Sequence, residues 1–270
     1  MQERVATSQP LVIEDRDGGV ALLRLNRPEA RNALSRGLIA ALDERIAVLG
    51  SESGVSVIVI GANGPVFSSG HDLREMTARR TDPDGGEAFF AATMKECSAL
   101  MQAIVACPKP VIAAVEGTAT AAGCQLVATC DLAVAADDAK FMTPGVNIGL
   151  FCSTPMVALS RNVPRKKAME MLLLGEAMSA RDAEHYGLIN RAVPKAQVMS
   201  ESLAFAKRIE AKSRETVKTG KVAFYRQIEQ PLEEAYRYAS EVMTRNMLDT
   251  DAEEGICAFL DKRPAVWSER

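Results

Sequence analysis

Several features that mark large classes of protein are missing from this sequence. No run of about 18 apolar residues occurs, so no membrane-spanning helix is expected. Residues 1–10 contain Glu3 and Arg4 but no continuous apolar segment, so no secretory signal is expected either. The net charge of −3 leaves no excess of basic residues, which argues against a nucleic-acid partner. A GxGxxG turn and a GK[ST] phosphate loop are also missing, which argues against the usual nucleotide-binding folds.

Histidine and cysteine, which supply most protein metal ligands, are few and poorly placed for a metal site. The sequence has two histidines and six cysteines, with no CxxC pair and no histidine near a cysteine at metal-ligand spacing. We therefore expect no metal and no disulfide framework, but reduced and mostly buried thiols. This places the protein in a reducing compartment, the cytoplasm, with an organelle matrix after processing left open. The cysteines are Cys97, Cys107, Cys124, Cys130, Cys152 and Cys257.

The hydrophobic pattern that is present predicts an α/β fold with a largely parallel sheet. Segments 11–14 and 20–25 flank an Asp-Gly-Gly turn and are typical of a β-hairpin. Ser35 can cap a helix that carries apolar residues at helical spacing. Pro83 and two glycines indicate a mobile loop over 77–86. Buried strands are predicted at 55–60, 111–115 and 132–135, and helices at 89–105, 121–130, 165–174, 180–186, 196–212 and 231–249.

Two segments that follow predicted strands are rich in small residues where a packed core would carry larger ones. The first, FSSGHDL at 67–73, is a glycine-centred turn that would expose backbone N–H groups at the carboxyl end of a strand. The second, GTATAAGCQL at 117–126, leads into a helix whose first N–H groups have no partner within that helix. Taken singly, the first is typical of a plain turn, and the second serves close helix packing as well as ligand binding.

Together the two segments resemble the oxyanion-hole segments of the crotonase (enoyl-CoA hydratase/isomerase) superfamily. NRPEARNAL at 26–34 resembles the early signature of that family nearly residue by residue, and CDL at 130–132 and the tail at 254–263 also match. The resemblance covers essentially the whole chain and is strongest to the mitochondrial enoyl-CoA hydratase domain-containing type. It implies a ββα spiral core over residues 1–195 that binds acyl-CoA, a helical C-terminal oligomerisation region over 196–270, and a homotrimer or hexamer.

The resemblance also assigns roles to particular residues. The N–H groups of His71 and Ala122 take the oxyanion-hole positions, where two donors stabilise the enolate of a bound thioester. Coenzyme A would lie along residues 68–72, and two tail residues would reach the coenzyme A of a neighbouring subunit. No cofactor is expected, since coenzyme A is part of the substrate. The residues implied in binding are Arg27, Arg31, Ser68, Ser69, Gly70, Asp72, Leu73, Gly123, Phe259 and Lys262.

Both catalytic glutamates of the family hydratases are replaced in this chain, by Gln125 and Gly145. Hydration needs two carboxylates that hold a water and exchange its proton with the substrate. The glutamine can hold a water but cannot titrate, and the glycine offers no group. His71 and Cys152 are the candidates to replace them. The alternatives are an inert buried thiol at Cys152 and an imidazole at His71 that only shapes the pocket.

Two functions therefore stay open, and acyl-CoA binding is expected in both. In the first, the protein is an enzyme of fatty acid metabolism, a hydratase-like lyase or isomerase, or a decarboxylase or thioesterase-type relative that needs only enolate stabilisation. In the second, it is a non-catalytic acyl-CoA-binding or regulatory protein. An unrelated doubly wound α/β protein is a third and weaker interpretation.

Overall fold

The computed structural model describes residues 9–268, and in this range a six-stranded sheet organises the fold. In spatial order its strands are Val12–Asp17 (β1), Val20–Leu25 (β2), Val57–Ala62 (β3), Val111–Val115 (β5), Leu132–Ala136 (β7) and Arg191–Val193 (β10). β1 and β2 form the predicted antiparallel hairpin, turned at Gly18, whose φ of +59° favours glycine. All other neighbours are parallel, which confirms the predicted parallel sheet. The predicted absence of a secretory signal concerns residues 1–10, of which residues 1–8 lie outside the described range.

A second sheet of four short strands was not predicted from the sequence. Its strands are Val66–Ser68 (β4), Thr118–Thr120 (β6), Lys140–Met142 (β8) and Met178–Ser179 (β9). β4, β6 and β8 are parallel, and β9 is antiparallel to β8. Strands of two or three residues are too short to leave a recognisable alternation in a sequence. This sheet carries both small-residue segments.

Helices alternate with the strands and then dominate the C-terminal part. Ser35 caps the first of them as predicted, since its Oγ accepts the N–H of Leu38 at 3.2 Å. None of the helices formed by residues 9–268 is long and apolar enough to cross a membrane. They are Arg36–Ser51 (α1), Leu73–Ala78 (α2), Glu87–Ala106 (α3), Ala122–Thr129 (α4), Pro155–Leu159 (α5), Arg165–Leu174 (α6), Ala180–His185 (α7), Val198–Glu210 (α8), Arg214–Gln227 (α9), Leu232–Asn246 (α10) and Thr250–Leu260 (α11).

The predicted loop over 77–86 is wrong in its first half. α2 continues to Ala78, and a 3₁₀ turn over Arg79–Thr81 follows it. The guanidinium of Arg79 lies over the ring of Phe89 at 5.2 Å, so α2 and the turn are held against the start of α3. The contact joins residues ten positions apart, which a local pattern does not reveal.

Two C-terminal helices, α9 and α11, were missed by the sequence patterns. No residue of α9 is fully buried, so its apolar stripe is weak. The helix is fixed instead by Lys221, whose ammonium donates to Asp131 at 2.7 Å and to the carbonyl of Ile104 at 3.0 Å. Asp131 also accepts the hydroxyl of Tyr225 at 2.9 Å and the N–H of Val111 at 2.6 Å. Asp131, which lies between α4 and β7, thus ties α9 to the sheet.

The C-terminal part of the chain is partly joined to the core and partly uncovered. α8 packs against β3, β5 and β7 through buried residues that include Val198 and Ala206. The last three helices and the turn between α10 and α11 present large apolar side chains to the outside, among them Leu232, Leu248 and Phe259. The division at residue 195 into a core and an oligomerisation region stays a prediction.

Candidate active site

The two small-residue segments lie side by side because β4 and β6 are neighbours. Val66 pairs with Thr118, and Ser68 pairs with Ala119. The strands are parallel, so the chain leaves both at the same edge of the sheet. Residues 69–72 and the first turn of α4 therefore meet there.

Two glycines set the distance between these segments. A β-carbon on Gly123 would lie 2.5 Å from the carbonyl oxygen of Ser68. A β-carbon on Gly70 would lie 2.9 Å from the β-carbon of Ala121, and the φ of Gly70 is +86°, a conformation that favours glycine. Larger residues at either position would push the backbones apart.

Ala121, the residue before α4, has an unusual backbone conformation. Its φ of 49° and ψ of −116° are strained for a residue with a side chain. The conformation is held by the N–H of Ala121, which donates to the carbonyl oxygen of Met142 in β8 at 2.8 Å. The helix start is therefore fixed by a neighbouring strand of the second sheet.

The first residues after the two strands leave backbone donors free. The N–H of Leu34 donates to the carbonyl oxygen of Gly70 at 2.7 Å, and the N–H of Asp72 donates to the carbonyl oxygen of Leu34. Both neighbours of His71 are therefore hydrogen-bonded to Leu34. The N–H of His71 itself donates to no acceptor among residues 9–268. Ala122 is the first residue of α4, so its N–H has no acceptor within the helix. Both donors are available to a ligand.

The signature at 26–34 holds this loop in place. Asn32 is fully buried and was not singled out from the sequence. Its side-chain amide donates to the carbonyl oxygens of Asn63 at 2.9 Å and Val66 at 2.8 Å, and its side-chain oxygen accepts the N–H of Arg27 at 2.8 Å. Its carbonyl oxygen accepts the hydroxyl of Ser68 at 2.9 Å. These bonds join the signature to both ends of β4.

Arg27 and Asp72 are engaged with each other. The guanidinium of Arg27 donates to Asp72 at 3.0 Å and to the carbonyl oxygen of Ala33 at 2.8 Å. Asp72 also accepts the N–H groups of Arg74 and Glu75 and so caps α2. Hydrogen bonds to these donors and to Arg27 outweigh the effect of burial and lower the pKa of the Asp72 carboxyl.

The remaining residues implied in acyl-CoA binding have varied surroundings. Ser68 is buried and Ser69 is half-buried, whereas Arg31 and Leu73 are exposed beside the loop. Phe259 is 82% exposed near the end of α11, and Lys262 lies just beyond that helix. Their contacts with coenzyme A stay predictions.

The imidazole of His71 is largely enclosed. Neither of its ring nitrogens has a hydrogen-bond partner within the described part of the chain. Burial lowers the pKa of His71 from its usual 6.5, and the backbone of Leu34 opposes this only in part. The ring is therefore uncharged at neutral pH.

Gln125 lies in α4, whereas Gly145 and Cys152 lie beside each other in the segment that follows β8. Gln125 is 4% exposed, and its side-chain oxygen has no partner in the range 9–268. Gly145 is buried in a 3₁₀ turn over Pro144–Ile148, where a β-carbon would lie 2.5 Å from the carbonyl oxygen of Leu150 and 3.0 Å from the sulfur of Cys152. Burial raises the pKa of the Cys152 thiol, and the backbone of Gly145 opposes this only in part. No titrating carboxyl stands at either of the two positions.

Thr143 is a further buried polar residue near the start of α4. It follows β8, is 1% exposed, and its hydroxyl lacks a hydrogen-bond partner among the residues described. Its neighbour Met142 accepts the N–H of Ala121, which places Thr143 beside the start of α4. No motif marks such a residue, since its unpaired state arises only from the tertiary structure.

This fold, with its paired loops, is the crotonase fold, and the chain belongs to the enoyl-CoA hydratase/isomerase family. Residues 15–270 match the sequence profile described as "Enoyl-CoA hydratase/isomerase". The match confirms the family and the fold class that the sequence resemblance implied.

Individual relatives are similar over nearly the whole chain. Mouse mitochondrial enoyl-CoA hydratase domain-containing protein 3 is 47% identical over 262 residues, which cover 97% of this chain and 86% of the mouse protein. The crystal structure of human enoyl Coenzyme A hydratase domain-containing protein 3 superposes with a TM-score of 0.90 at 45% identity, covering 95% of this chain and all of that one (100%). An enoyl-CoA hydratase structure from Mycobacterium smegmatis has a TM-score of 0.92 at 50% identity, with coverage of 96% and 99%.

Proposed function

We propose that the protein binds acyl-CoA thioesters and stabilises the enolate of the bound acyl group. The N–H groups of His71 and Ala122 donate to the thioester oxygen. The observation that carries this proposal is that both donors, at the meeting point of the two loops, lack an acceptor in the part of the chain that the structure describes. The positive end of α4 adds to the stabilisation of a developing negative charge.

Rapid hydration is not part of this function. A positioned proton-transfer group contributes typically about 10² to 10⁴ in rate, and this chain has no carboxyl at the two usual positions. His71 is neutral, and burial disfavours the thiolate of Cys152. The proposed oxyanion hole remains, and each of its donors contributes a factor of about 10² to 10³ to the reaction rate. Reactions that need enolate stabilisation and little proton transfer fit this site best.

A second candidate, a non-catalytic acyl-CoA-binding or regulatory protein, is favoured by the same replacements. A turnover screen over enoyl-, 3-hydroxyacyl-, malonyl- and saturated acyl-CoA separates the two candidates. Product formation above the uncatalysed rate with any of these supports the enzyme. Tight binding of all of them without product supports the non-catalytic protein.

Coenzyme A lies along residues 68–72 in this proposal. Because Arg27 is committed to Asp72, the exposed Arg31 is the better phosphate contact. Phe259 and Lys262 reach the coenzyme A of another subunit. The proposal includes no cofactor, since coenzyme A is part of the substrate, and no nucleic-acid partner or membrane span.

We also propose a trimer or hexamer, supported by the apolar surface of α9, α10 and α11. Leu232 in α10 is 75% exposed, Leu248 in the turn between α10 and α11 is 82% exposed, and Phe259 in α11 is 82% exposed, which together are more than isolated surface residues account for. A groove of about 790 Å³ between α8 and α9, lined in part by Phe205 and Phe224, adds to that surface, away from the paired loops. Light scattering should give three or six times 29.1 kDa, and a monomer at micromolar concentration would contradict the proposal.

The proposed compartment is a reducing one. All six cysteines are free thiols, and five of them are buried. The vertebrate relatives are named as mitochondrial, which makes the mitochondrial matrix, or the cytoplasm in a cell without mitochondria, the compartment to examine. Fractionation of the source cells tests this.

The oxyanion hole is tested by infrared spectroscopy of a bound thioester. Butyryl-CoA labelled with ¹³C at the carbonyl should show a lower carbonyl stretching frequency when bound, because two donors polarise the bond. Gly70→Ala should abolish the change, since a β-carbon there meets Ala121 and Thr120. Gly85→Ala is the matched control, because Gly85 also has a positive φ but a β-carbon there meets nothing within 4 Å.

Calorimetry completes this experiment. Butyryl-CoA should bind, whereas free butyrate should not, because most of the contacts go to the coenzyme A part. Binding of butyryl-CoA without a change in carbonyl frequency would contradict the hole. Equal, weak binding of both compounds would contradict thioester recognition altogether.

A further inference from the structure

The segment that follows α11, residues 263–268, folds back onto that helix as a strap. The guanidinium of Arg263 donates to both carboxylate oxygens of Glu254, at 2.7 and 2.8 Å, and the same carboxylate accepts the N–H of Val266 at 2.8 Å. Hydrogen bonds from these two residues lower the pKa of Glu254 to about 2, so the carboxylate is ionised at neutral pH. One side chain of α11 thus holds the strap at two points.

The far end of the strap is bonded to the junction between α8 and α9. The indole N–H of Trp267 donates to the carbonyl oxygen of Ala211 at 2.9 Å. The N–H of Ser268 donates to Asp251 of α11 at 2.8 Å, and Asp251 also accepts the hydroxyl of Ser213, the residue that caps α9. The strap therefore joins α11 to the two preceding helices of the core side.

A glycine inside α11 lets the strap lie close to the helix. A β-carbon on Gly255 would lie 3.2 Å from two ring carbons of Trp267, which is closer than an ordinary contact. Glycine is otherwise unfavourable inside a helix, because it loses the most backbone freedom on folding. Its presence at this position therefore fits a tryptophan ring that is packed directly on the helix backbone.

Lys262, between α11 and the strap, has a left-handed backbone conformation. Its φ of 55° belongs to the position after a helix end where glycine is usual. The helix end is closed by the N–H of Arg263, which donates to the carbonyl oxygen of Ala258 at 3.0 Å. A residue with a side chain keeps such a conformation only where its surroundings impose it. The side chain of Lys262 is exposed, and its ammonium forms no ion pair within residues 9–268.

We propose that Glu254 is a positioning residue for coenzyme A binding. Through Arg263 and the strap it fixes the backbone of Lys262, and it thereby presents the lysine ammonium to the phosphates of coenzyme A in a neighbouring subunit. A contact that is ordered before the ligand arrives loses less entropy on binding, which matters most for a long and flexible lysine side chain. The inference rests on the proposed function, since it takes Lys262 to reach that coenzyme A.

The test compares two thioesters by calorimetry. Butyryl-CoA carries the phosphates, whereas butyryl-pantetheine has the same acyl and pantetheine groups but lacks the phosphorylated adenosine part. Glu254→Gln removes the charge that holds Arg263, so it should weaken the binding of butyryl-CoA about 3- to 10-fold, the value of one net hydrogen bond. The same variant should bind butyryl-pantetheine with unchanged affinity, which a general disturbance of the site would not allow.

Further variants show whether the effect passes through Lys262. Lys262→Met should lose as much butyryl-CoA affinity as Glu254→Gln, and the double variant should lose no more than either, because both changes act on one contact. Arg263→Lys keeps the positive charge but not the two-point contact, so its loss should be smaller. Glu52→Gln is the matched control, since Glu52 also pairs with an arginine, Arg16 at 2.8 Å, but lies at the end of α1. The control should bind both thioesters as the wild type does.

The outcomes separate this inference from the proposed function. Glu254→Gln should stay folded and keep its oligomeric mass in light scattering, because a pair at the surface contributes little to stability. Equal losses for both thioesters, loss of the oligomer, or an additive loss in the double variant overturns the inference, since the strap would then act on the fold or the assembly. Unchanged butyryl-CoA affinity in Lys262→Met also overturns it and leaves thioester binding intact. Failure of every thioester to bind to the wild type overturns both.

Discussion

Replacement of Gly123 by alanine is the sharpest test of how closely the two loops meet. The added β-carbon would lie 2.5 Å from the carbonyl oxygen of Ser68 and 2.7 Å from its β-carbon, whereas ordinary contacts begin at 3.4 Å. The overlap with the oxygen is therefore about 0.9 Å. Ser68 lies in β4, which is paired with β6, so its oxygen cannot move without moving the strand.

The expected loss of stability follows from two opposing effects. Overpacking a close contact costs about 1 to 3 kcal/mol. Alanine in place of glycine inside a helix stabilises by about 0.5 to 1 kcal/mol. Since the obstacle is backbone, the cost falls in the upper part of its range and a net loss of about 2 kcal/mol is expected, or about 4 to 8 °C in Tm for a chain of this size.

Gly220→Ala is the control, because Gly220 also lies inside a helix but a β-carbon there meets nothing within 4 Å. This variant should be more stable than the wild type by about 0.5 to 1 kcal/mol. Thermal unfolding and butyryl-CoA calorimetry are measured on both variants. The reasoning is refuted if Gly123→Ala unfolds at the temperature of the control and binds the thioester with unchanged affinity.

Three further predictions concern the titrating positions. Gln125→Glu should fold but lose stability as the pH rises above about 4.3, because burial raises the folded pKa of the new carboxyl, and a denaturation midpoint that does not change with pH would contradict this. Gly145→Glu should unfold the 3₁₀ turn, so an ordinary hydration rate in the double variant would disprove that expectation. Because burial lowers the folded pKa of His71, the denaturation midpoint should fall as the pH drops below 6.5. His71→Gln should reduce this dependence of the midpoint on pH, whereas the control variant His185→Gln, at an exposed position, should retain it. Cys152→Ser should retain thioester affinity and any turnover, and a tenfold loss (about 1.4 kcal/mol) would assign the thiol a role.

The elements that the sequence predicted well carry their signal locally. β5 at Val111–Val115 and α6 at Arg165–Leu174 have the predicted bounds, and the caps Ser35 and Asp72 act within three residues of their own position. Strong apolar periodicity and short-range hydrogen bonds decide such elements before any tertiary contact forms.

What the sequence did not reveal depends on residues far apart in the chain. The second sheet joins strands of two or three residues, and Asn32 finds its partners at Asn63 and Val66. The candidate loops were found from their small residues, but Thr143 was not. A hydroxyl that lacks a partner is defined by everything packed around it, which no local pattern contains.

The hydrogen bonds of Asn32 have a consequence for how such chains are classified. The signature by which this family is recognised early in the sequence is a clamp on β4, made of a buried amide and backbone oxygens, and it holds no reacting group. Evolution can therefore exchange the side chains at positions 125, 143 and 145 while the clamp stays intact. A sequence search that scores the clamp measures ancestry, and two chains with equal scores can differ completely in the reactions that they catalyse.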